Sequence, residues 1–315
     1  GPTDPVPFYT IFTGMMLVQL FYWGTNQQII QRALGAKDLK EGQKGLLLAS
    51  FIKILGPIIV VLPGIIAFHL FQGNLESADS AYPMLVKEVL PTAWVGFFAA
   101  VLFGAILSSF NSVLNSSVTL FGIDVYKQHI NKEADEKTIV KYGKIFGVVL
   151  AIAAMFIAPL IANAGSLFDY LQEINGIYSI PILTIIVVGY LTKRVPAIAA
   201  KIGLASGCLL YIASQFFMQP YFVSNALKLA KDNGITDEAA LALIEAQAYP
   251  HFLDIMALLF ILNVGIMLLI GKLYPRKEEF VQEHTKQVDI TPWKYTTQAG
   301  IAICVIVIGI YIYFA

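Results

Sequence analysis

From Thr92 to Tyr126 the chain reads TAWVGFFAAVLFGAILSSFNSVLNSSVTLFGIDVY, without a charged residue before Asp124. This apolar length exceeds the roughly 20 residues that a helix needs to cross a bilayer. Hydroxyl and amide side chains nevertheless gather along its middle turns: Ser108, Ser109, Asn111, Ser112, Asn115, Ser116 and Ser117. Polar groups are costly in hydrocarbon, so such a group usually lines a helix contact, a water-filled cavity or an ion path.

The composition places the chain in a membrane. Hydrophobic residues make up 57% of its 315 residues, and charged residues only 13%. The formal net charge is zero, which offers no basic surface for nucleic acid. Cys208 and Cys304 lie within apolar runs, so we expect packed thiols rather than a disulfide framework. The chain starts without Met, and we expect further residues upstream.

Hydropathy predicts an all-α polytopic membrane protein with eight transmembrane helices. The predicted spans are Phe8 to Trp23, Leu46 to Phe71, Pro91 to Val125, Lys141 to Ala164, Phe168 to Leu191, Val195 to Met218, Phe252 to Leu273 and Thr296 to Ala315.

Basic residues alternate between successive loops, which predicts the orientation of the chain. The odd-numbered loops carry Arg32, Lys37, Lys40, Lys44, Lys127, Lys132, Lys137, Lys193, Arg194, Arg276, Lys277, Lys286 and Lys294. The even-numbered loops are predominantly acidic or uncharged. We therefore expect the odd loops in the cytoplasm and both ends of the chain on the outer side.

Two spans are predicted to be interrupted. The first is short and loses its apolar character in the segment from Phe21 to Gln28. The fifth contains Asn175-Gly176 and Pro181, which remove a packing side chain and a backbone donor from a helix interior. Broken spans often border the midplane substrate sites of transporters.

In the third span, Ala105, Ser108 and Ser109 follow the spacing i, i+3 and i+4, which places them on one helix face. Two hydroxyls beside a carbonyl suit a small hard cation such as sodium, and the lack of a carboxylate disfavours a divalent ion. The alternative is that the hydroxyls bond back to carbonyls one turn earlier and ease helix packing. Spacing by itself favours this second interpretation.

Further candidate residues have equally open interpretations. Gln19, Tyr22 and Trp23 share a face that could bind and stack on a sugar, or could form an interfacial aromatic belt. Lys53 lies within snorkelling distance of the membrane surface or serves a function. Gln172 is a substrate ligand or a packing contact.

The motifs of soluble enzymes are missing from the sequence. The four histidines are far apart, and no nucleophile elbow, zinc-binding helix, phosphate loop or dinucleotide fingerprint is found. We therefore expect that the protein is not an enzyme.

Several motifs together resemble the sodium/solute symporter family, and above all its sodium/sugar branch, typified by bacterial sodium/galactose symporters. The resemblance covers residues 4–192 closely and the rest loosely. The matching residues are Tyr22-Trp23-Gly24-Thr25-Asn26-Gln27, Gln31-Arg32, Ala36-Lys37, Lys53, Ser108-Ser109, Leu114-Asn115-Ser116, Asp124-Val125-Tyr126-Lys127 and Phe168-Asp169-Tyr170-Leu171-Gln172-Glu173.

The resemblance implies a transporter core of two inverted five-helix repeats with added helices. Residues 1–192 would form the second repeat, and residues 193–315 would form three peripheral transmembrane helices. The N-terminal repeat would then be absent from this chain and would act as its partner within the same transporter.

The resemblance also implies roles for the candidate residues. Ala105, Ser108 and Ser109 match the family's sodium site. Lys53 and Gln172 match positions that bind sugar, beside Gln19, Tyr22 and Trp23. Gln19 stands where galactose-type members have Asn, so the identity of the sugar stays open. Tyr22 would be an inner gate and Phe168 part of an outer gate.

The expected function is symport of a sugar with sodium across the inner (cytoplasmic) membrane of a bacterium by alternating access. A second possibility is sodium symport of another small solute, such as an acidic sugar or a carboxylate, with Lys53 as the counter-charge. A third is a membrane sensor on the same fold that does not transport.

Overall fold

The structure is a computed structural model that describes residues 6–71, 75, 80–161, 167–281 and 288–314. Side chains at 160, 167–169 and 314 are outside the described part. The described residues form helices and connecting turns, without a β-strand.

Seven helical segments within these ranges are long and apolar enough to cross a membrane. They are Leu39–Leu70, Thr92–Ile130, Glu136–Pro159, Tyr170–Leu191, Ala197–Asp232, Glu238–Leu273 and Thr296–Tyr313. They confirm the predicted all-α polytopic membrane fold.

The first predicted span is not among the seven, because Thr13 divides it. A 3-10 helix, Phe8–Phe12, precedes α1, Gly14–Gly24, which has only 11 residues. The backbone N–H groups of Thr25 and Asn26 both donate to the Phe21 carbonyl, at 2.9 and 3.0 Å, and so end the helix. The predicted loss of helix after Trp23 is confirmed, whereas the break at Thr13 had no signal in the hydropathy.

The chain folds as two compact units, the first of which joins residues 1–26 with residues 168–284. Besides α1 it contains α8 (Leu167–Leu191), α9 (Ala197–Ile212), α10 (Gln219–Asp232), α11 (Glu238–Ala248) and α12 (Phe252–Leu273). A π-helical turn, Ala213–Met218, connects α9 with α10. The core of this first unit is formed by Val18, Ile180, Tyr211, Leu253 and Met256, which are almost fully buried.

The predicted interruption of the fifth span is wrong, because α8 runs unbroken through Asn175, Gly176 and Pro181. Tertiary packing explains these residues instead. A methyl group on Gly176 would lie 2.3 Å from atoms of both Tyr211 and Met256, so glycine here admits neighbouring side chains. The Pro181 ring similarly packs against Gly207 of α9. A Cβ added to Gly207 would lie 2.6 Å from the Pro181 ring.

The second unit joins residues 27–167 with residues 285–315. It contains α2 (Gln27–Leu34), α3 (Leu39–Lys53), α4 (Leu62–Leu70), α5 (Ala81–Val89), α6 (Thr92–Leu120), α7 (Glu136–Ile161) and α13 (Thr296–Phe314). α6 continues as a π-helix, Phe121–Ile130, and packs against α7. The rings of Phe121 and Phe146 stack there with centroids 4.1 Å apart.

The helix of the second predicted span is interrupted directly after Lys53. Pro57 has no N–H to donate to the Lys53 carbonyl four residues earlier, which weakens the helical ladder at this point. The N–H groups of Ile54 and Leu55 bond three residues back, at 3.1 and 3.0 Å, and a π-helix, Pro57–Val61, leads into α4. Lys53 therefore stands at a change of helix type.

Candidate functional site

The serine face of α6 is exposed in the second unit. Ala105, Ser108 and Ser109 are all exposed, and among the described residues neither serine hydroxyl makes a hydrogen bond. Further along the same helix, Ser117 and Thr119 do bond back to carbonyls four residues earlier, at 3.0 and 2.8 Å. Intrahelical bonding thus applies to those later hydroxyls and leaves the Ser108–Ser109 pair available to a ligand.

An open pocket of about 720 Å³ lies between α2 and this part of α6. Six of the eight residues that line it have polar side chains, and Ser108 is one of them. Its lining residues are Gln31, Arg32, Gly104, Leu107, Ser108, Asn111, Ser112 and Asn115.

Three hydrogen bonds join α2 to α6 at the edge of this pocket. Arg32 donates from Nη2 to the Ser112 hydroxyl at 3.0 Å, and Gln31 donates from Nε2 to the Ser112 carbonyl at 3.2 Å. Asn115 in turn donates to Gln31 Oε1 at 3.4 Å. Ser112 lies one helical turn after Ser108, so its bond to Arg32 holds the positively charged guanidinium next to the candidate sodium ligands.

In the first unit, Gln19, Tyr22 and Trp23 are joined on one face of α1. Trp23 donates from its indole nitrogen to Gln19 Oε1 at 3.0 Å. The Tyr22 and Trp23 rings meet edge to face with centroids 5.2 Å apart. Gln19 and Trp23 are exposed and Tyr22 is half-buried. An amide beside two aromatic rings is chemically suited to the hydroxyls and apolar face of a sugar.

The opposite face of α1 fixes this arrangement against the unit's core. Val18 and Phe21 are buried, and the Phe21 ring meets Tyr178 of α8 edge to face at 5.8 Å. A Cβ on Gly14 would lie 1.9 Å from the Leu253 carbonyl oxygen, so the start of α1 touches the backbone of α12. The candidate face of α1 is left outward, together with the exposed side chains of Met16 and Leu20.

The remaining candidates lie on other helices. Gln172 is half-buried on α8, in the same unit as Gln19, Tyr22 and Trp23. Phe168 belongs to the first turn of α8, but its side chain is outside the described part of the chain. Lys53 is exposed at the end of α3 and belongs to the second unit with the serine pair.

Sequence reasoning did not assign a role to the contact of Arg32 with Ser112. These residues are 80 positions apart, and no local periodicity joins them. Both were nonetheless visible, Arg32 in the Gln31-Arg32 motif and Ser112 in the polar group of α6.

The profile of the sodium:solute symporter family matches residues 3–207 of the chain. The chain belongs to this family. Members are transporters, so the expectation of a non-enzyme is confirmed.

Curated relatives of the chain include transporters from bacteria and animals. It is 43% identical to the uncharacterized symporter YidK of Escherichia coli over 312 residues, which cover 99% of the chain and 50% of YidK. It is 38% identical to the sodium/glucose cotransporter of Vibrio parahaemolyticus, over 61% of the chain and 38% of that protein. It is 33% identical to human sodium/myo-inositol cotransporter 2, over 66% of the chain and 33% of that protein.

The chain therefore spans about half the length of the first of these relatives and a smaller share of the other two.

Proposed function

We propose that the complete protein carries a neutral sugar or polyol across the cytoplasmic membrane together with sodium. Family membership supports the ion coupling, and two of the relatives are named as glucose and myo-inositol cotransporters. The observation that carries the proposal is the pair of exposed hydroxyls on α6, which have no hydrogen-bond partner among the described residues.

Sodium would be held by the Ala105 carbonyl and the hydroxyls of Ser108 and Ser109. Hydroxyl and carbonyl oxygens replace part of the water shell of a hard monovalent cation without adding negative charge. The neighbouring Arg32, held on Ser112 at 3.0 Å, adds positive charge nearby and would keep sodium binding weak enough for release.

The sugar would be bound by the face of α1 and by Gln172, which belong to the first unit. Lys53, which belongs to the second unit, is proposed as a sugar ligand from its match to the family's motif alone. The Gln19 amide and the Lys53 ammonium hydrogen-bond hydroxyl groups, and the Tyr22 and Trp23 rings provide stacking surface. Tyr22 would close the inner side of the site, and Phe168 would contribute to its outer closure.

The other half of the site would come from an N-terminal helical repeat of the same protein. In this arrangement residues 1–192 form the second five-helix repeat, and residues 193–315 form three peripheral helices. The odd-numbered loops would lie in the cytoplasm of a bacterium and both ends of this chain outside.

The membrane potential supplies the driving force for such coupling. Moving one positive charge inward contributes about 2.3 kcal/mol per 100 mV, which corresponds to roughly a fifty-fold gradient of solute. Coupling requires that sodium bind the outward-facing state more tightly than the inward-facing state.

Uptake by the complete protein in proteoliposomes tests the proposal. We expect labelled galactose, glucose or myo-inositol to accumulate under an inward sodium gradient, and not under a matched potassium gradient. Ser109→Ala should abolish this stimulation, while Ser117→Ala should retain it because that hydroxyl is bonded within its helix. Uptake that is independent of sodium, or equal in the two variants, would contradict the proposal.

Competition identifies the class of solute. Neutral sugars should compete with the labelled sugar, and anionic sugars or carboxylates should compete poorly. Preferential competition by anions would instead assign Lys53 the role of counter-charge.

A further inference from the structure

A narrow apolar groove runs between α3 and α13 in the second unit, outside the candidate transport site. It has a volume of about 360 Å³. Both of its walls are helix faces with the spacing i, i+3, i+4, i+7. Lys44, Leu47, Leu48 and Phe51 form the wall on α3, and Ala299, Ala302, Ile303 and Ile306 form the wall on α13, with Trp293 beside them.

The two walls are held in parallel by contacts at one end. Gln43 Oε1 accepts hydrogen bonds from the Trp293 N–H at 2.7 Å and from the Thr296 hydroxyl at 2.8 Å. Further along, a Cβ on Gly300 would lie 3.9 Å from Leu47, so the helices stay close. The two alanines on α13 leave the space between the walls unfilled.

The groove is open along its length, and its apolar walls set what can lie in it. The wall from Lys44 to Phe51 covers seven residues, or about 10 Å of helix axis. Leu47, Leu48 and Phe51 face Ile303 and Ile306 over that length, so a hydrocarbon chain lying along the groove meets apolar side chains on both sides.

The charge at the end of the groove indicates the headgroup. Among the described residues that line the groove, Lys44 is the single charged one, and it stands at the end where Trp293 lies. Its ion pair with Glu41, at 2.7 Å, joins two partly exposed side chains and contributes little, so the ammonium can turn to another anion. Lys294, over the Tyr295 ring at 4.7 Å, adds a second cation near this end. Tryptophan and lysine at the end of an apolar helix pair are typical of the headgroup level of a bilayer.

We propose that this groove binds one acyl chain of an anionic phospholipid, whose phosphate lies beside Lys44. The lipid lies along both helices, and its bound chain fills the space that Ala299 and Ala302 leave.

Native mass spectrometry of the complete purified protein tests the lipid site. Dioleoyl phosphatidylglycerol and dioleoyl phosphatidylcholine are titrated separately, and the affinity of the first bound lipid is measured. We expect phosphatidylglycerol to bind about fivefold more tightly, which corresponds to the roughly 1 kcal/mol expected from one basic side chain, Lys44, beside the headgroup.

Two pairs of variants locate the site. Lys44→Gln should remove the preference for the anionic lipid, whereas Lys127→Gln, an exposed lysine outside the groove, should retain it. Ala302→Phe should fill the groove and weaken the first binding step of both lipids at least fivefold. Val305→Phe, at a position that is 62% exposed and outside the groove, should not.

Three results would overturn the proposal. The first is equal affinity for the two lipids, and the second is the same loss in both members of either pair. The third is a dimer of the protein that Ala302→Phe dissociates, which would make the groove a contact between copies. If Ala302→Phe fails to fold, the pair of lysine variants still decides, because both change exposed side chains.

Discussion

At the scale of single residues, the most informative contact is the one between Arg32 and Ser112. A guanidinium N–H donates to the Ser112 hydroxyl at 3.0 Å, one helical turn from the candidate sodium ligands. The bond fixes the rotamer of Ser112 and places a positive charge beside the open pocket. Arg32 is therefore a positioning residue for this part of α6.

A double-mutant cycle measures this contact. Arg32→Gln and Ser112→Ala each remove one partner, and we expect a coupling of about 1 kcal/mol in the free energy of unfolding. The value is modest because Arg32 is exposed to solvent. Unfolding of the purified protein by a denaturing detergent provides the measurement. Additive effects of the two substitutions would show that the contact contributes nothing.

At the scale of helices, glycine and proline have two different effects. In α8 they allow close packing, whereas in the α3–α4 segment proline coincides with an interruption of the helix. Gly176 and Pro181 lie in a continuous helix, where they fit against Tyr211, Met256 and Gly207. Pro57 instead follows Lys53 by four residues and coincides with a break in the ladder. The same residue types thus have different effects, which depend on the neighbours that the fold brings to them.

Two glycines of α8 provide a matched test of this interpretation. Gly176→Ala should destabilise the protein by about 1–3 kcal/mol, because the methyl group would overlap Tyr211 and Met256. Gly189→Ala should be neutral or stabilising by up to about 1 kcal/mol, since an added Cβ meets nothing within 4 Å and alanine favours the helix. Thermal unfolding in detergent compares the two. Equal effects would mean that Gly176 is not a packing residue.

These elements also show how far the sequence carries. Apolar length predicts the helical class because every backbone group in a bilayer must bond within its own helix. The position of Pro57 could have predicted the interruption after Lys53. Hydropathy gave no sign of it, because the segment is apolar on both sides of the break. The contacts of Gly176 and of Ser112 were not readable, since they join residues that are distant in the chain. The roles of the candidate site residues stay predictions.

At the scale of the whole molecule, α3 and α13 begin at the same end of the second unit. Gln43 bonds both Trp293 and Thr296, which ties the start of α13 to the start of α3. We therefore expect the loops before these helices to lie on one side of the membrane. The alternation of basic residues predicts that this side is the cytoplasm.

Cysteine labelling checks the sidedness. In a cysteine-free version of the complete protein, Lys40→Cys and Lys294→Cys should both be protected from an impermeant maleimide in intact cells. Lys87→Cys, in a loop of the opposite class, should react. If Lys40→Cys and Lys294→Cys react and Lys87→Cys is protected, the orientation is the reverse of the predicted one. If only one of Lys40→Cys and Lys294→Cys reacts, the two loops do not lie on the same side.

The central claim is that the Ser108 and Ser109 hydroxyls hold the coupled sodium ion. Equilibrium binding of radioactive sodium to the purified complete protein, without sugar or a membrane potential, tests it most directly. We predict that Ser108→Ala and Ser109→Ala each weaken sodium binding at least tenfold, or by about 1.4 kcal/mol. Ser117→Ala should bind sodium like the unaltered protein. Undiminished binding in both of the first two variants would contradict the account.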